Sequence, residues 1–290
     1  GEFEEDALRK VASPLGLDAD TLVERAKEAW TPEPVDLEGL CQYNTVYEDM
    51  TVNNYLVWDP TSREAALFDT GTDAGRAIGL VNELDLKLTQ LFLTHTHLDH
   101  IIGLPFFAPF HIPGFTPRLH AGHLLPDRSL RGVLGEMMQA PLFPVPPEVF
   151  RANVSFHDFE AGETLHPAPG VTLKTAPLNH PNVAVGYRIE FDGRAVCYIT
   201  DTEHYAEGRD ETVVELVRDA DVMIYDATYT DEEYPRFVGF GHSTWQEGCR
   251  VADAANVGRL VLFHHEPSHD DETMDEIAEA ADEVRPGTHE

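Results

Sequence analysis

The chain has 290 residues, 42% of them hydrophobic and 25% charged, the make-up of a globular protein with room for a sizeable core. It contains no run of about 18 apolar residues, which excludes a membrane-spanning helix and gives no reason to expect a membrane partner. Fifty-two acidic against 20 basic residues give a formal net charge of -32, a surface expected to repel polyanions, so no long nucleic acid is expected as a partner.

The start, Gly1-Glu2-Phe3, lacks a basic-then-apolar signal pattern and reads as the scar of a cleaved tag. Three scattered cysteines, Cys41, Cys197 and Cys249, suit neither a disulfide framework nor a zinc knuckle, and the expected location is cytoplasmic. Residues 1–40 read as an N-terminal helical arm and linker. Ala7, Leu8 and Val11 form one apolar face, and Leu22, Val23, Ala26, Ala29 and Trp30 form a second before Thr31-Pro32-Glu33-Pro34 breaks the pattern. Packing or a homodimer contact is the role expected of it.

Residues 41–290 read as the main domain, with regular structure from about Thr51. Tyr55–Trp58 and Ala65–Phe68 are strands around a turn, and the second ends in Asp69-Thr70-Gly71. Ala77, Ile78, Val81 and Leu84 give a helical face. The apolar run Leu91–Thr94 then delivers His95-Thr96-His97-Leu98-Asp99-His100. Four of these six side chains are good ligands for a divalent metal. His95 and His97 leave an extended segment on one side, whereas Asp99 and His100 need a turn, which points to two ions. This His-x-His-x-Asp-His motif after an apolar strand resembles the metallo-β-lactamase superfamily, mostly binuclear metallohydrolases. The resemblance also implies that Asp69 buttresses the ligands.

Residues 105–150 form a Pro-rich insertion, interleaved with phenylalanines and with one helix near Leu130–Met138. It could roof the site or simply pack. Its histidines, His111, His120 and His123, are not expected to be ligands. Strands at Val171–Ala176, Val183–Ile189, Ala195–Thr200 and Val222–Tyr225 follow before the next helix, Thr244–Ala255, and a last strand, Arg259–Phe263. Several of them end in His or Asp: His180, Asp201, Asp226 and His264. Strand ends are where α/β folds place their chemistry. The ligand count then closes. One ion would take His95, His97 and His180, the other Asp99, His100 and His264, and Asp201 would bridge them. Two such ions can activate a shared water without a Ser or Cys nucleophile. Zinc is expected, with manganese or iron also compatible.

The second half narrows the likeness. Pro177-Leu178-Asn179-His180, Tyr225-Asp226-Ala227-Thr228 and Gly241-His242-Ser243-Thr244 resemble ribonuclease Z over roughly residues 90–275. The resemblance implies that His242 faces a scissile phosphate with Asp226 behind it, and that Asp99 belongs to the catalytic set as well as to the ligands. Two departures stand out. Only 20 residues separate His180 from Asp201, leaving no room for the family's transfer-RNA-gripping arm, and residues 50–71 look more like glyoxalase II relatives.

The expected fold is a four-layered αβ/βα sandwich of the metallo-β-lactamase type. The expected function is metal-dependent hydrolysis of a small phosphodiester such as a cyclic nucleotide. A thioester or lactone hydrolase of the glyoxalase II type is the alternative, and a metal-bound scaffold or sensor is the non-enzyme reading. A redox di-iron role is disfavoured, because that branch replaces the second His of the motif with an acid and this chain keeps His97.

Overall fold

The structure, a computed structural model, describes residues 5–12, 19, 23, 38–47 and 50–288. Of the N-terminal arm it shows helix α1 (Glu5–Ala12), while the apolar face from Leu22 to Trp30 and the break at 31–34 lie, Val23 apart, outside the described residues.

Two six-stranded sheets form the centre. The first runs β1 (Leu40–Tyr47), β2 (Met50–Trp58), β3 (Glu64–Phe68), β4 (Lys87–Leu93), β5 (Arg118–Ala121) and β6 (Ser155–Asp158) in spatial order. The second runs β12 (Arg259–Phe263), β11 (Val222–Asp226), β10 (Arg194–Ile199), β9 (Ala184–Phe191), β8 (Thr172–Leu178) and β7 (Thr164–Leu165). Each sheet is antiparallel on one side and parallel on the other, with β3 to β6 parallel in the first and β10 to β12 in the second.

Strand alternation builds the layers. Phe68, Phe92, Tyr187, Tyr198, Ile224 and Phe263 point between the sheets and form a shared aromatic-rich core. Leu67, Leu91 and Leu93 point the other way, onto α2 (Gly75–Glu83), α3 (Leu98–Ile101) and α4 (Leu130–Met137). Cys197, Ile199, Met223, Tyr225 and Leu262 point onto α5 (Glu211–Val217), α6 (Trp245–Ala254) and α7 (Asp271–Val284). The result is the expected four-layered sandwich. Because both faces of the central strands are covered, they read in sequence as continuous apolar runs.

Two elements correct the sequence reading. Strand β1 precedes the expected start of the core. Tyr43 and Thr45 are buried while Gln42, Asn44 and Val46 are exposed, an edge strand whose polar positions conceal it. Helix α5 lies between β10 and β11, where only strands were expected. Those strands pair in parallel and therefore need a crossover. Asp210 caps the helix by accepting from the Thr212 and Val213 amides, and Val213, Val214, Leu216 and Val217 are buried. The apolar residues Leu104, Phe107 and Phe110 of the Pro-rich segment join the core outside the first sheet. The interval between His180 and Asp201 is filled by the β9–β10 hairpin. Among the described residues no helix is long and apolar enough to cross a membrane, and the three cysteines are free.

Candidate metal centre

The ends of β4, β8, β10, β11 and β12 meet at one rim. With α3 and the loop before α6, they bring together His95, His97, Asp99, His100, His180, Asp201, Asp226, His242 and His264. Three of the strand-end residues turn through left-handed backbone, Asp69 at φ 53°, Asp201 at 52° and His264 at 63°. Non-glycine residues adopt that conformation seldom, and it costs of order 1–3 kcal/mol each. Here it lets a strand end swing its side chain to the rim.

The histidine tautomers follow from what lies behind each ring. The Thr94 hydroxyl donates to Asp69 Oδ2 at 2.7 Å, so it must accept from His95 Nδ1, 3.2 Å away. His180 Nδ1 donates to the Gly241 carbonyl at 3.0 Å. His100 Nδ1 donates to Asp69 Oδ2 at 3.0 Å. The single hydroxyl hydrogen of Thr228 faces two acceptors, Asp226 Oδ1 and the His264 carbonyl, so the hydroxyl oxygen accepts from His264 Nδ1 at 3.0 Å. In all four rings Nε2 is left as a lone pair aimed at the rim.

Those lone pairs converge. His95 Nε2 lies 3.1 Å from His97 Nδ1, which lies 3.4 Å from His180 Nε2. Zinc–nitrogen bonds of about 2.0–2.1 Å place tetrahedral ligand atoms roughly 3.3 Å apart. Asp201 Oδ2 is 3.5 Å from both His95 Nε2 and His100 Nε2, and its Oδ1 is 3.6 Å from His264 Nε2. Asp99 Oδ2 is 3.3 Å from His100 Nε2, a buried atom with no hydrogen-bond partner. Lone pairs facing carboxylates repel unless a cation stands between them, so this donor set fits divalent metal. Three overlapping groups could hold one: His95, His97 and His180; His95, His100 and Asp201; and Asp201, His242 and His264, with ligand atoms within 4.8 Å of one another in each group.

Without a cation, protons take its place. Burial opposes charge on His100, but Asp69, Asp201 and Asp99 surround it and hold its pKa well above the usual value. Burial would raise Asp201, yet His264, His100 and His95 hold it well below the carboxylate range. Burial and neighbouring imidazoles push His95 well down.

His242 stands apart, because its Nδ1 is taken by Asp226 Oδ2 at 2.9 Å. Asp226 is fully buried and is fixed by the Thr202 amide at 3.1 Å and by the Thr228 hydroxyl at 2.8 Å. Burial tends to neutralise His242, but the Asp226 charge and hydrogen bond overcome it and push the pKa up to about 9. The ring stacks on His264 at 4.6 Å between centroids. His242 is thus within reach of a cation held by Asp201 and His264, as well as being placed to face a substrate.

Asp69 is a buttress, holding Thr94 and His100 at once. The histidines of the Pro-rich segment bond elsewhere: His111 to the Pro105 carbonyl, His120 to Gln90 and His123 to Thr96. Sequence reasoning missed Glu203 and Asn182. The Asn182 amide lies 3.4 Å from His97 Nε2. Neither residue belongs to a His or Asp motif, so proximity in the fold is their only signal.

A family model described as beta-lactamase superfamily domain matches residues 66–265. The chain is 28% identical over 266 residues to ribonuclease Z of Methanothermobacter thermautotrophicus, spanning 78% of this chain and 84% of that protein. Among solved structures, the metallo-beta-lactamase fold protein YhfI of Bacillus subtilis superposes with a TM-score of 0.63 at 20% identity, covering 82% and 86% of the two chains. The short form of human tRNase Z superposes with a TM-score of 0.55 at 21% identity, covering 73% and 85%. Relatives named for cleaving RNA overturn the expectation that long nucleic acid is excluded. A net charge summed over 290 residues does not report the local field at a site that gathers cations. The chain belongs to the beta-lactamase superfamily, as a metal-dependent hydrolase with a ribonuclease Z-like second half.

Proposed function

We propose that the chain hydrolyses phosphodiesters with two divalent ions, one held by His95, His97 and His180, the other by Asp99, His100 and His264, with Asp201 shared. The observation that carries this reading is the convergence of the ring Nε2 atoms on the Asp201 carboxylate, beside the His242–Asp226 pair. Bound there, divalent ions supply Lewis acidity toward a phosphoryl oxygen and lower the pKa of a water from 15.7 toward about 7. An imidazole-rich set favours zinc, and the carboxylates admit manganese or iron.

The chain's own residues do the rest. Asp69 and the Gly241 carbonyl keep the ring nitrogens aimed at the rim. Asp99, whose side chain keeps 21% of its exposure, can take a proton from the attacking water. His242, whose charged form Asp226 stabilises, is placed to donate to a phosphate oxygen as charge develops on it. A phosphodiester suits this arrangement, because the His242–Asp226 pair puts a cationic donor beside the ligands, where negative charge builds on a phosphoryl oxygen.

The substrates within this reading are small phosphodiesters, such as a cyclic nucleotide, and RNA, which the names of the relatives bring in. The test is metal-reconstituted protein assayed on bis(p-nitrophenyl) phosphate, a cyclic nucleotide, a transfer RNA precursor, a thioester and a lactone. Turnover of the thioester or lactone with none of the phosphodiesters would sink the proposal in favour of a glyoxalase II-type activity.

A further inference from the structure

Glu203 is an acid only 8% exposed, in a chain already carrying a charge of -32. Burying a carboxylate is costly unless donors surround it. Among the described residues it makes no ion pair, and its donors come from one loop. Tyr234 donates its hydroxyl to Oε1 at 2.8 Å. The Gly239 amide donates to both oxygens, at 2.8 and 3.0 Å, and the Gly241 amide donates to Oε2 at 2.9 Å. Segment 234–241 is therefore folded around this one carboxylate.

What the loop does is fixed at Gly241. Its amide is held by Glu203, and its carbonyl accepts from His180 Nδ1 at 3.0 Å. The backbone there has φ +92°, and a Cβ would lie 2.2 Å from His180 Nδ1, so only glycine brings the main chain this close to the ring. The next residue is His242, bonded to Asp226. On its own main chain, Glu203 donates to the Asn179 carbonyl at 2.7 Å and accepts from the Asn179 side-chain amide at 2.9 Å. Glu203 thus ties the ends of β8 and β10 to the loop that precedes α6. It lies two residues beyond Asp201, and its hydrogen bonds go to neither the His180 nor the His242 ring.

We propose that Glu203 is a positioning residue: its carboxylate sets the Gly241 peptide so that His180 is held in the Nδ1–H tautomer with Nε2 free, and His242 is presented beside it. The proposal rests on the metal centre above only in taking His180 as a ligand. In Glu203→Gln the amide nitrogen must replace one carboxylate oxygen, and in either orientation it faces the Gly239 N–H, which both oxygens accept, so the loop cannot keep all its bonds.

The first measurement uses metal-free protein. Long-range ¹H–¹⁵N NMR should find the His180 hydrogen on Nδ1 in the wild type and distributed over both nitrogens in Glu203→Gln. The second is zinc affinity by chelator competition, which should weaken about 10- to 100-fold, the usual effect of losing a group that orients a ligand. Tyr234→Phe, which removes one donor and keeps the charge, should move both readings the same way by less. Glu247→Gln, a similarly buried acid bonded to Arg250, should move neither. In a His180→Ala background, Glu203→Gln should weaken zinc binding no further. The proposal is overturned by a wild-type tautomer and affinity in Glu203→Gln, by an equal loss in Glu247→Gln, or by a full additional loss on top of His180→Ala. If these shifts appear in a protein that turns over no phosphodiester, the positioning role stands and only the substrate reading falls.

Discussion

Replacing Asp226 by Asn removes a charge while keeping the shape, and the effect should appear first in the titration of His242. In the wild type the two groups lie 2.9 Å apart; burial presses the imidazole down, and the carboxylate outweighs it to push the pKa up to about 9. An unfolded histidine titrates near 6.5, so the gap is about 2.5 units, roughly 3 kcal/mol at 1.36 kcal/mol per unit. Because the folded value is the higher one, this stability is fully present below pH ~6.5 and disappears as pH rises through about 9. With the carboxylate replaced by an amide, the strongest remaining influence is burial, and His242 should titrate below its ordinary value. NMR titration of metal-free protein reads the pKa directly. Urea unfolding at pH 6 and pH 10 reads the linkage: the wild-type advantage over the variant should be larger at pH 6 by about 3 kcal/mol. A His242 that still titrates near 9 in Asp226→Asn would refute the reasoning and shift the cause to Asp201, the other carboxylate whose charge raises this ring.

The shared carboxylate is tested by Asp201→Ala, which should leave fewer than two metal ions per chain by elemental analysis; two tightly held ions in that variant would rule out a bridge. His242→Ala should keep the wild-type metal content while phosphodiester turnover falls about 10²–10⁴-fold, the scale of a charge-stabilising or acid–base group. Loss of an ion would instead make His242 a ligand, as its place beside Asp201 and His264 allows. Asp69→Asn should weaken metal binding about 10- to 100-fold, because His100 and Thr94 lose a common anchor; unchanged affinity in chelator competition would deny the buttress any role.

The rim was legible in the sequence because the strands that build it are buried on both faces. An apolar run ending in His or Asp, as at Leu91–His95, Ala195–Asp201 and Arg259–His264, marks both the strand and the point where it meets the rim. What holds the rim was legible only in part. The resemblance pointed to Asp69 as a buttress, but its partner His100 is 31 residues away, and Glu203 and Gly241 are 38 apart, so no local pattern links either pair. Helix α5 was missed because β-branched Thr212-Val213-Val214 has low helix propensity, although Asp210 announces a cap. Strand β1 was missed for the opposite reason, since polar residues alternate with its buried ones. Net charge misled most, because a whole-chain sum was applied to a local encounter.

That same acidity makes a prediction about how RNA would be bound. Some of the cations that could release counterions from a phosphate backbone are engaged by the protein's own acids. Lys174 and Arg188 pair with Glu190, Arg194 with Asp221, Arg218 with Glu215, and Arg250 with Asp231 and Glu247. Recruiting any of them to RNA means giving up an existing pair. With these five held back, contacts at the one or two phosphates of the rim should dominate unless other lysines and arginines line the approach. For single strands the slope of log affinity against log salt is about −0.7 per phosphate neutralised, so KM for a transfer RNA precursor should follow salt with a slope of about −1 in affinity. Turnover of bis(p-nitrophenyl) phosphate, a single phosphodiester, should follow salt no more steeply. Steady-state kinetics from 50 to 300 mM salt, at fixed free metal, measure both. A slope steeper than about −4 for RNA would require a multi-phosphate basic track, and would refute contacts dominated by the rim.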